Sequence, residues 1–134
     1  MMVSTRGRYA LRVMIDLAEN ISDNNVPLKD IAERQEISKK YLESIVKKLV
    51  EDKLIIGASG KNGGYKLARD PEDYSVLEIL LSAEGSLSSV ACLADKDYDC
   101  PRKDRCQTLP MWTEYNEMIY SFWENKKLSE LIKK

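Results

Sequence analysis

The chain has 134 residues, 43% of them apolar and 32% charged, which suffices for one compact domain or a small domain with an appendage and excludes two full cores. Its 21 Lys and Arg against 22 Asp and Glu leave a formal charge of −1, so no overall excess of either sign names a partner. Histidine is absent, which excludes a histidine-based triad, a histidine general base, a histidine metal ligand and the usual switch near neutral pH.

No apolar run approaches the ~20 residues of a membrane span, and Met1 to Arg8 is polar without a signal-peptide core, so a cytoplasmic protein with no membrane partner is expected. Three Cys, an odd number, speak against a disulfide framework and for reduced thiols. Splitting the charge is more informative than summing it. Residues 1–70 hold 13 basic and 10 acidic side chains, whereas residues 71–134 hold 8 and 12. The first part includes a local basic patch: Lys39, Lys40, Lys47, Lys48, Lys53, Lys61 and Lys66 against Glu43, Glu51 and Asp52.

From Thr5 to Ile21, the residues Tyr9, Ala10, Val13, Met14, Leu17, Ala18 and Ile21 recur at spacings of one, three and four, the apolar face of a first helix. Ser22 to Asn25 supply a turn, and Pro27 suits the first turn of a short second helix that turns Leu28, Ile31 and Ala32 inward. A break at Gln35-Glu36 follows. Its left-handed position is commonly Gly, so Glu36 there should cost roughly 1 kcal/mol. Ser38 then caps a third helix whose inward set is Leu42, Ile45, Val46, Leu49 and Val50. Its outer face carries Lys39, Lys40, Glu43, Ser44, Lys47 and Lys48.

Leu54-Ile55-Ile56 and Tyr65-Lys66-Leu67 flank eight residues that hold four of the six glycines, with an Asn62-Gly63 step, and predict a β-hairpin. A phosphate loop is excluded, because Gly60-Lys61 lacks the upstream Gly and the following Ser or Thr. After Pro71, Ser75 and Glu78 form a capping box for a short helix carrying Val76, Ile79, Leu80 and Ala83, and Gly85 ends it. Residues 86–107 lack a period and read as a long loop. A last long helix begins near Leu109-Pro110. Its stripe of Trp112, Tyr115, Ile119 and Phe122, widened by Met111, Met118 and Trp123, has little chain left to cover it, so a second copy is expected on it as a two-fold homodimer, the alternative being that it packs back on its own domain.

The order of these elements is that of a winged helix-turn-helix: mainly α, with a small hairpin wing and a long C-terminal dimerisation helix. Residues 1–74 form the DNA-binding part. Residues 75–134 form the loop and dimerisation part. The third helix can enter the major groove of double-stranded DNA, its lysines can neutralise phosphates, and Lys61 at the hairpin tip can reach the adjacent backbone. Ser38, Tyr41, Glu43 and Ser44 lie near the helix start, where groove contacts are made, and Glu43 can accept from cytosine N4. The competing reading leaves the lysines as a solvated helix face.

Cys92, Cys100 and Cys106, spaced C-x7-C-x5-C, lie in fifteen mostly polar residues with Asp95, Lys96, Asp97, Asp99, Arg102, Lys103, Asp104 and Arg105. Three readings stay open: ligands to a metal or iron–sulfur cluster, a reactive thiol sensor, and inert side chains. The paired Cys of a zinc ribbon are missing. No acid, base and nucleophile set suggests an enzyme, and the remaining class is a small electron-transfer or metal-binding module.

Taken together, Ser4-Thr5-Arg6-Gly7-Arg8-Tyr9-Ala10, Val26 to Gln35, Ile37-Ser38 with Tyr41-Leu42-Glu43, and Gly63-Gly64-Tyr65-Lys66-Leu67 make the chain resemble the Rrf2 superfamily of bacterial winged-helix regulators, with its IscR, NsrR and CymR types. The three-Cys loop, Trp112 and the long helix extend the resemblance nearly to the C-terminus. It implies a homodimeric regulator of a pseudo-palindromic operator, with Ser59, Lys61, Asn62, Gly63 and Tyr65 of the wing beside DNA. It also implies a cluster on Cys92, Cys100 and Cys106, 2Fe-2S in preference to 4Fe-4S. CymR-type members generally lack those cysteines and imply control by thiol oxidation or a partner protein. Four positions depart from the pattern. The first Cys interval is longer than usual, and Leu109 stands in place of the IscR-type His. Arg8 stands in place of the NsrR-type acidic residue, and Ser59 in place of a wing Arg. The fourth ligand is thus unassigned: Asp104, Thr108 and Glu114 are in reach by sequence, and a side chain of the partner subunit or water serves equally.

Overall fold

The computed structural model of the chain describes residues 3–95 and 97–133, so Lys96 lies outside the described residues. Helix α1 (Thr5–Glu19) is followed by α2 (Leu28–Gln35), α3 (Lys39–Glu51), the antiparallel strands β1 (Ile55–Ala58) and β2 (Gly64–Leu67), and a 3-10 turn at Pro71–Asp73. Then come α4 (Val76–Glu84), a short α5 (Ala91–Ala94), a 3-10 turn at Lys103–Arg105, α6 (Leu109–Glu124) and a closing 3-10 turn at Leu128–Leu131.

The predicted apolar faces of α1 to α3 build the main core. Ala10, Val13, Met14, Ile31, Leu42, Ile45, Val46 and Leu49 are essentially inaccessible to water. Two members of the expected inward sets lie outside. Helix α1 stops at Glu19, and Ile21, in the turn beyond, is 62% exposed. Val50 is 36% exposed, because the next residues leave α3 and run to the wing. The 86–107 stretch, expected as plain loop, holds α5 and the second 3-10 turn.

One carboxylate ties α1 to the helix-turn-helix corner. Asp16 on α1 is only 1% exposed and accepts from Arg34 Nε and Nη2 (3.0 and 2.8 Å) and from Gln35 Nε2 (3.0 Å). Arg12, one turn earlier, donates through Nε to Gln35 Oε1 at 3.1 Å and through Nη2 to the Gln35 carbonyl. The corner itself turns on Glu36, in the left-handed region at φ 56°. Its expected strain is held by these contacts and by its own amide, which donates to the Ala32 carbonyl.

Tyr74 holds the wing to the core. Fully buried, it donates its hydroxyl to the Leu54 carbonyl at 2.6 Å and accepts from the Ala68 and Arg69 amides at 2.9 and 3.0 Å, joining the start of the hairpin to its end. The hairpin pairs Ile55 with Leu67 and Ala58 with Gly64. A further bridge joins Tyr65 to Val26 before α2, two hydrogen bonds of 2.8 Å each. Gly64 permits that bridge. It has φ +141°, and a Cβ there would come within 2.4 Å of the Val26 carbonyl oxygen.

Helix α4 starts with the expected capping box, Ser75 accepting from the Glu78 amide at 3.2 Å and Glu78 from the Ser75 amide at 3.0 Å. Its Ile79 joins the main core. So does Leu128 from the closing 3-10 turn, which sequence periodicity did not reveal. The core therefore runs across the boundary between residues 74 and 75. A satellite cluster of Val76, Leu80 and Leu87 takes Val3 and Leu11 on one side and Tyr120 and Trp123 of α6 on the other. Trp123 thus packs on its own chain and does not widen the exposed stripe as expected.

Replacing Tyr74 by Phe keeps the ring and leaves a carbonyl and two amides without their partner. It should lower stability by about 1–3 kcal/mol, read from urea unfolding followed by circular dichroism.

Candidate nucleic-acid interface and cysteine loop

Ser38 caps α3 by accepting from the Tyr41 amide at 3.2 Å, which aims the first turn of the helix outward. Ser38, Lys39, Lys40, Tyr41, Glu43, Ser44, Lys47 and Lys48 are all exposed on this helix, while Leu42, Ile45, Val46 and Leu49 face the core. At the wing, Ser59, Lys61 and Asn62 are exposed at the tip. Asn62 takes φ 67°, and its carbonyl accepts from the Asn25 amide side chain at 3.2 Å. Gly63 and Tyr65 are half-buried, and Tyr65 shapes the wing through its bridge to Val26.

Between α3 and the wing lies an open recess of about 490 Å³ lined by Lys29, Lys39, Glu43, Gly60, Gly63 and Tyr65 among others. Lys29 escaped the sequence reading, because a single Lys on a short helix carries no pattern. Arg6 escaped it too. Its Nη1 donates to Ser44 Oγ at 3.2 Å, so the first turn of α1 stands beside the outer face of α3, and Tyr9 packs edge-on against Tyr41 with ring centroids 5.5 Å apart. The motif that carries both had no assigned role.

The lysines of this face are not equivalent. Lys48 Nζ lies 3.2 Å from Asp52 Oδ1, four residues on, whereas Lys39, Lys40 and Lys47 form no ion pair among the described residues. Asp52 also accepts from the buried Ser82 hydroxyl of α4 at 2.6 Å. That hydroxyl, helped by Lys48, holds the Asp52 carboxyl below the usual carboxylate range.

The three cysteines are free thiols, each half-buried, with Cys92 on α5 and Cys106 just before α6. Among the described residues, no three His, Cys, Asp or Glu side chains are gathered closely enough to hold a metal ion. Three soft thiolates suit an iron–sulfur cluster in kind, but their placement does not gather them, and holding one requires the 86–107 segment to close. Of the oxygen donors near in sequence, Thr108 has its hydroxyl 3.5 Å from Cys106 Sγ. This hydroxyl, with the Thr108 and Leu109 amides and Arg102, pulls the Cys106 thiol below its ordinary value.

Helix α6 shows two faces. Tyr120 and Trp123 pack on the satellite cluster, and Trp112 and Ile119 are half-buried. Met111, Tyr115, Met118 and Phe122, spaced four, three and four, are 52%, 42%, 65% and 59% exposed, with Tyr115 edge-on to Trp112 and Lys126 over the Phe122 ring. The exposed stripe therefore keeps Tyr115 and Phe122 of the expected set and replaces Trp112 and Ile119 by Met111 and Met118.

A family model for Rrf2, described as an iron-dependent transcriptional regulator, matches residues 3–134. The chain belongs to the Rrf2 family. It is 36% identical over 132 residues to the HTH-type transcriptional regulator IscR of Yersinia enterocolitica, covering 98% of this chain and 79% of that protein. To the IscR of Xenorhabdus nematophila it is 36% identical over 133 residues, with 99% and 80% covered. Among solved structures, its fold is similar to CymR, the global cysteine regulator of B. subtilis, with a TM-score of 0.76 at 28% identity, covering 98% and 95% of the two chains. It is also similar to IscR of T. potens, with a TM-score of 0.73 at 32% identity, covering 98% and 85%. As an Rrf2 regulator the chain has the winged-helix fold expected of it. No helix among its described residues is long and apolar enough to cross a membrane.

On the proposed DNA face, Lys47→Ala should weaken binding to all sequences alike and lower the slope of log K against log salt by about 0.9, the contribution of one phosphate contact. Lys48→Ala, whose ammonium is already shared with Asp52, should change the slope less. Fluorescence anisotropy on a DNA fragment across a salt series measures both.

Proposed function

We propose that this chain is a homodimeric, sequence-specific DNA-binding transcription regulator acting in the cytoplasm on a pseudo-palindromic operator. It senses iron–sulfur, redox or nitric oxide status through a cluster that Cys92, Cys100 and Cys106 would hold. Residues 1–74 read DNA through the Ser38–Lys48 face and the Ser59–Tyr65 wing. Residues 75–134 sense and dimerise. The observation that carries this reading is the position of the thiols: three soft donors in one surface segment that joins α4, packed on the reader, to α6, whose outer stripe is bare. The named IscR relatives support the same reading.

A bare stripe of Met111, Tyr115, Met118 and Phe122 fits an isologous pairing with a second copy, since an exposed apolar seam at heptad-like spacing is what two helices bury together. Two recognition helices related by that axis would meet half-sites about one helical turn, 34–36 Å, apart.

A cluster-free variant of this function is favoured by two observations. The thiols are not gathered, and the lowered Cys106 thiol is the kind of group that oxidants reach first. In that variant thiol oxidation or a partner protein supplies the signal.

Anaerobic purification separates the two. The cluster reading expects coloured protein with iron and sulfide in stoichiometric amounts, a two-iron cluster in preference to a four-iron one, and a changed promoter-DNA shift between apo and reconstituted protein. Colourless protein after reconstitution, with DNA binding that responds to thiol oxidation, selects the cluster-free variant. For the dimer, Met118→Glu with Phe122→Glu should convert a sedimenting dimer into a folded monomer and reduce operator affinity by at least about a hundredfold, as loss of the second half-site requires.

A further inference from the structure

Helix α1 begins at Thr5 with Ser4 at its N-cap, yet the Ser4 side chain does not cap its own helix. The cap comes from α4. Glu84 Oε1 accepts from the Ser4 amide at 3.1 Å, the Ser4 hydroxyl at 2.5 Å and the Gly7 amide at 2.9 Å. Gly7 is third in the helix, and its amide is one that an N-cap serine would ordinarily take. It is also a residue the carboxylate needs to be small, since a Cβ there would lie 2.6 Å from Glu84 Oε1. Glu84 is the last residue of α4, where its own helix dipole disfavours a negative charge, and the positive end of α1 offers it the opposite field.

The two sides of this contact lead to different parts of the molecule. On one side Gly85 reverses the chain at φ +82°. Leu87 then enters the satellite cluster with Val3 and Leu11, its amide donating to the Tyr120 hydroxyl at 3.3 Å, and Cys92 follows five residues later. On the other side the same turn of α1 carries Arg6, which donates to Ser44, and Tyr9, which packs on Tyr41.

We propose that Glu84 is a positioning residue that links the cysteine-bearing segment to the DNA-reading helix. By capping α1 it ties the placement of Arg6 and Tyr9 against α3 to the arrangement of residues 86–107. This rests on the reading of that segment as the sensing part. The link is a property of the free chain and is measured without DNA.

The full-length reduced protein is treated with iodoacetamide, which adds a carboxamidomethyl group to each accessible thiol, and hydrogen exchange is followed at the Gly7 amide. In the wild-type protein, alkylation should lower Gly7 protection by at least about tenfold, while core amides such as Ile45 stay unchanged. Because coupling is reciprocal, Glu84→Ala, which removes the acceptor, should make Cys92 alkylate at a different rate, and the alkylation effect on Gly7 should shrink to less than about twofold. Gly7→Ala, which crowds out the carboxylate while favouring the helix, should uncouple the two sites in the same way at an unchanged Ile45 protection. A wild-type Gly7 amide that ignores alkylation, or a Glu84→Ala protein that responds as the wild type does, overturns the link. Operator binding measured on the same samples tests the regulator reading separately. Its absence, with the exchange coupling intact, removes that reading and leaves the link standing, and the converse removes the link alone.

Discussion

The Asp16 carboxylate sets the frame on which the rest of the molecule is arranged. A buried anion demands compensation, and here it comes from two N–H groups of Arg34 and one of Gln35, all at the end of α2. The fork of the guanidinium matches the two carboxylate oxygens in only one relative orientation, so the contact fixes direction as well as distance. Arg34 keeps 41% of its side chain in water, so the desolvation falls mainly on the carboxylate. With α2 pinned this way, the left-handed residue Glu36 can turn the chain, and α3 leaves the corner with its lysines outward and Leu42 and Ile45 inward.

Helix α4 has an unusual place in this arrangement. It supplies Ile79 to the main core and Leu80 to the satellite core, and its polar side chains reach two other helices' ends: Ser82 to Asp52 beyond α3, and Glu84 to the start of α1. Only Asp16 and Ser82 are buried polar residues among those described, and each joins one helix to another. Polar groups are therefore spent at helix junctions, where a directional bond fixes geometry that apolar packing alone leaves adjustable.

Much of this was legible in the sequence because it is local. The periodic faces of α1 and α3, the Ser38 cap, the Ser75 and Glu78 capping box, the glycine-rich hairpin and the start of α6 at Leu109 each depend on residues within a few positions of one another. Misplacements occur where an element stops. Ile21 keeps the period of α1 although the helix has ended, and Val50 keeps that of α3 in its last turn, where the core no longer covers it. The contacts of Glu84 with Ser4 and Gly7 span 80 and 77 residues and leave no periodic mark. The stripe on α6 shows a subtler failure. Aromatic and aliphatic residues lie all round that helix, so composition cannot tell which ones α4 covers. At the cysteines, spacing gives the kind of donor but not whether the backbone brings the donors together.

Leu128 is wholly buried in the core of α1 to α3, and its amide donates to the Tyr74 carbonyl at 3.0 Å. The residue that completes the interior of α1 to α3 thus emerges long after those helices. During translation the helix-turn-helix must wait with an open seam until loop, α6 and closing turn have all emerged. A product broken off before that point presents apolar surface to chaperones and proteases instead of a finished DNA-binding face. The interior of α1 to α3 and the segment that follows it therefore mature together.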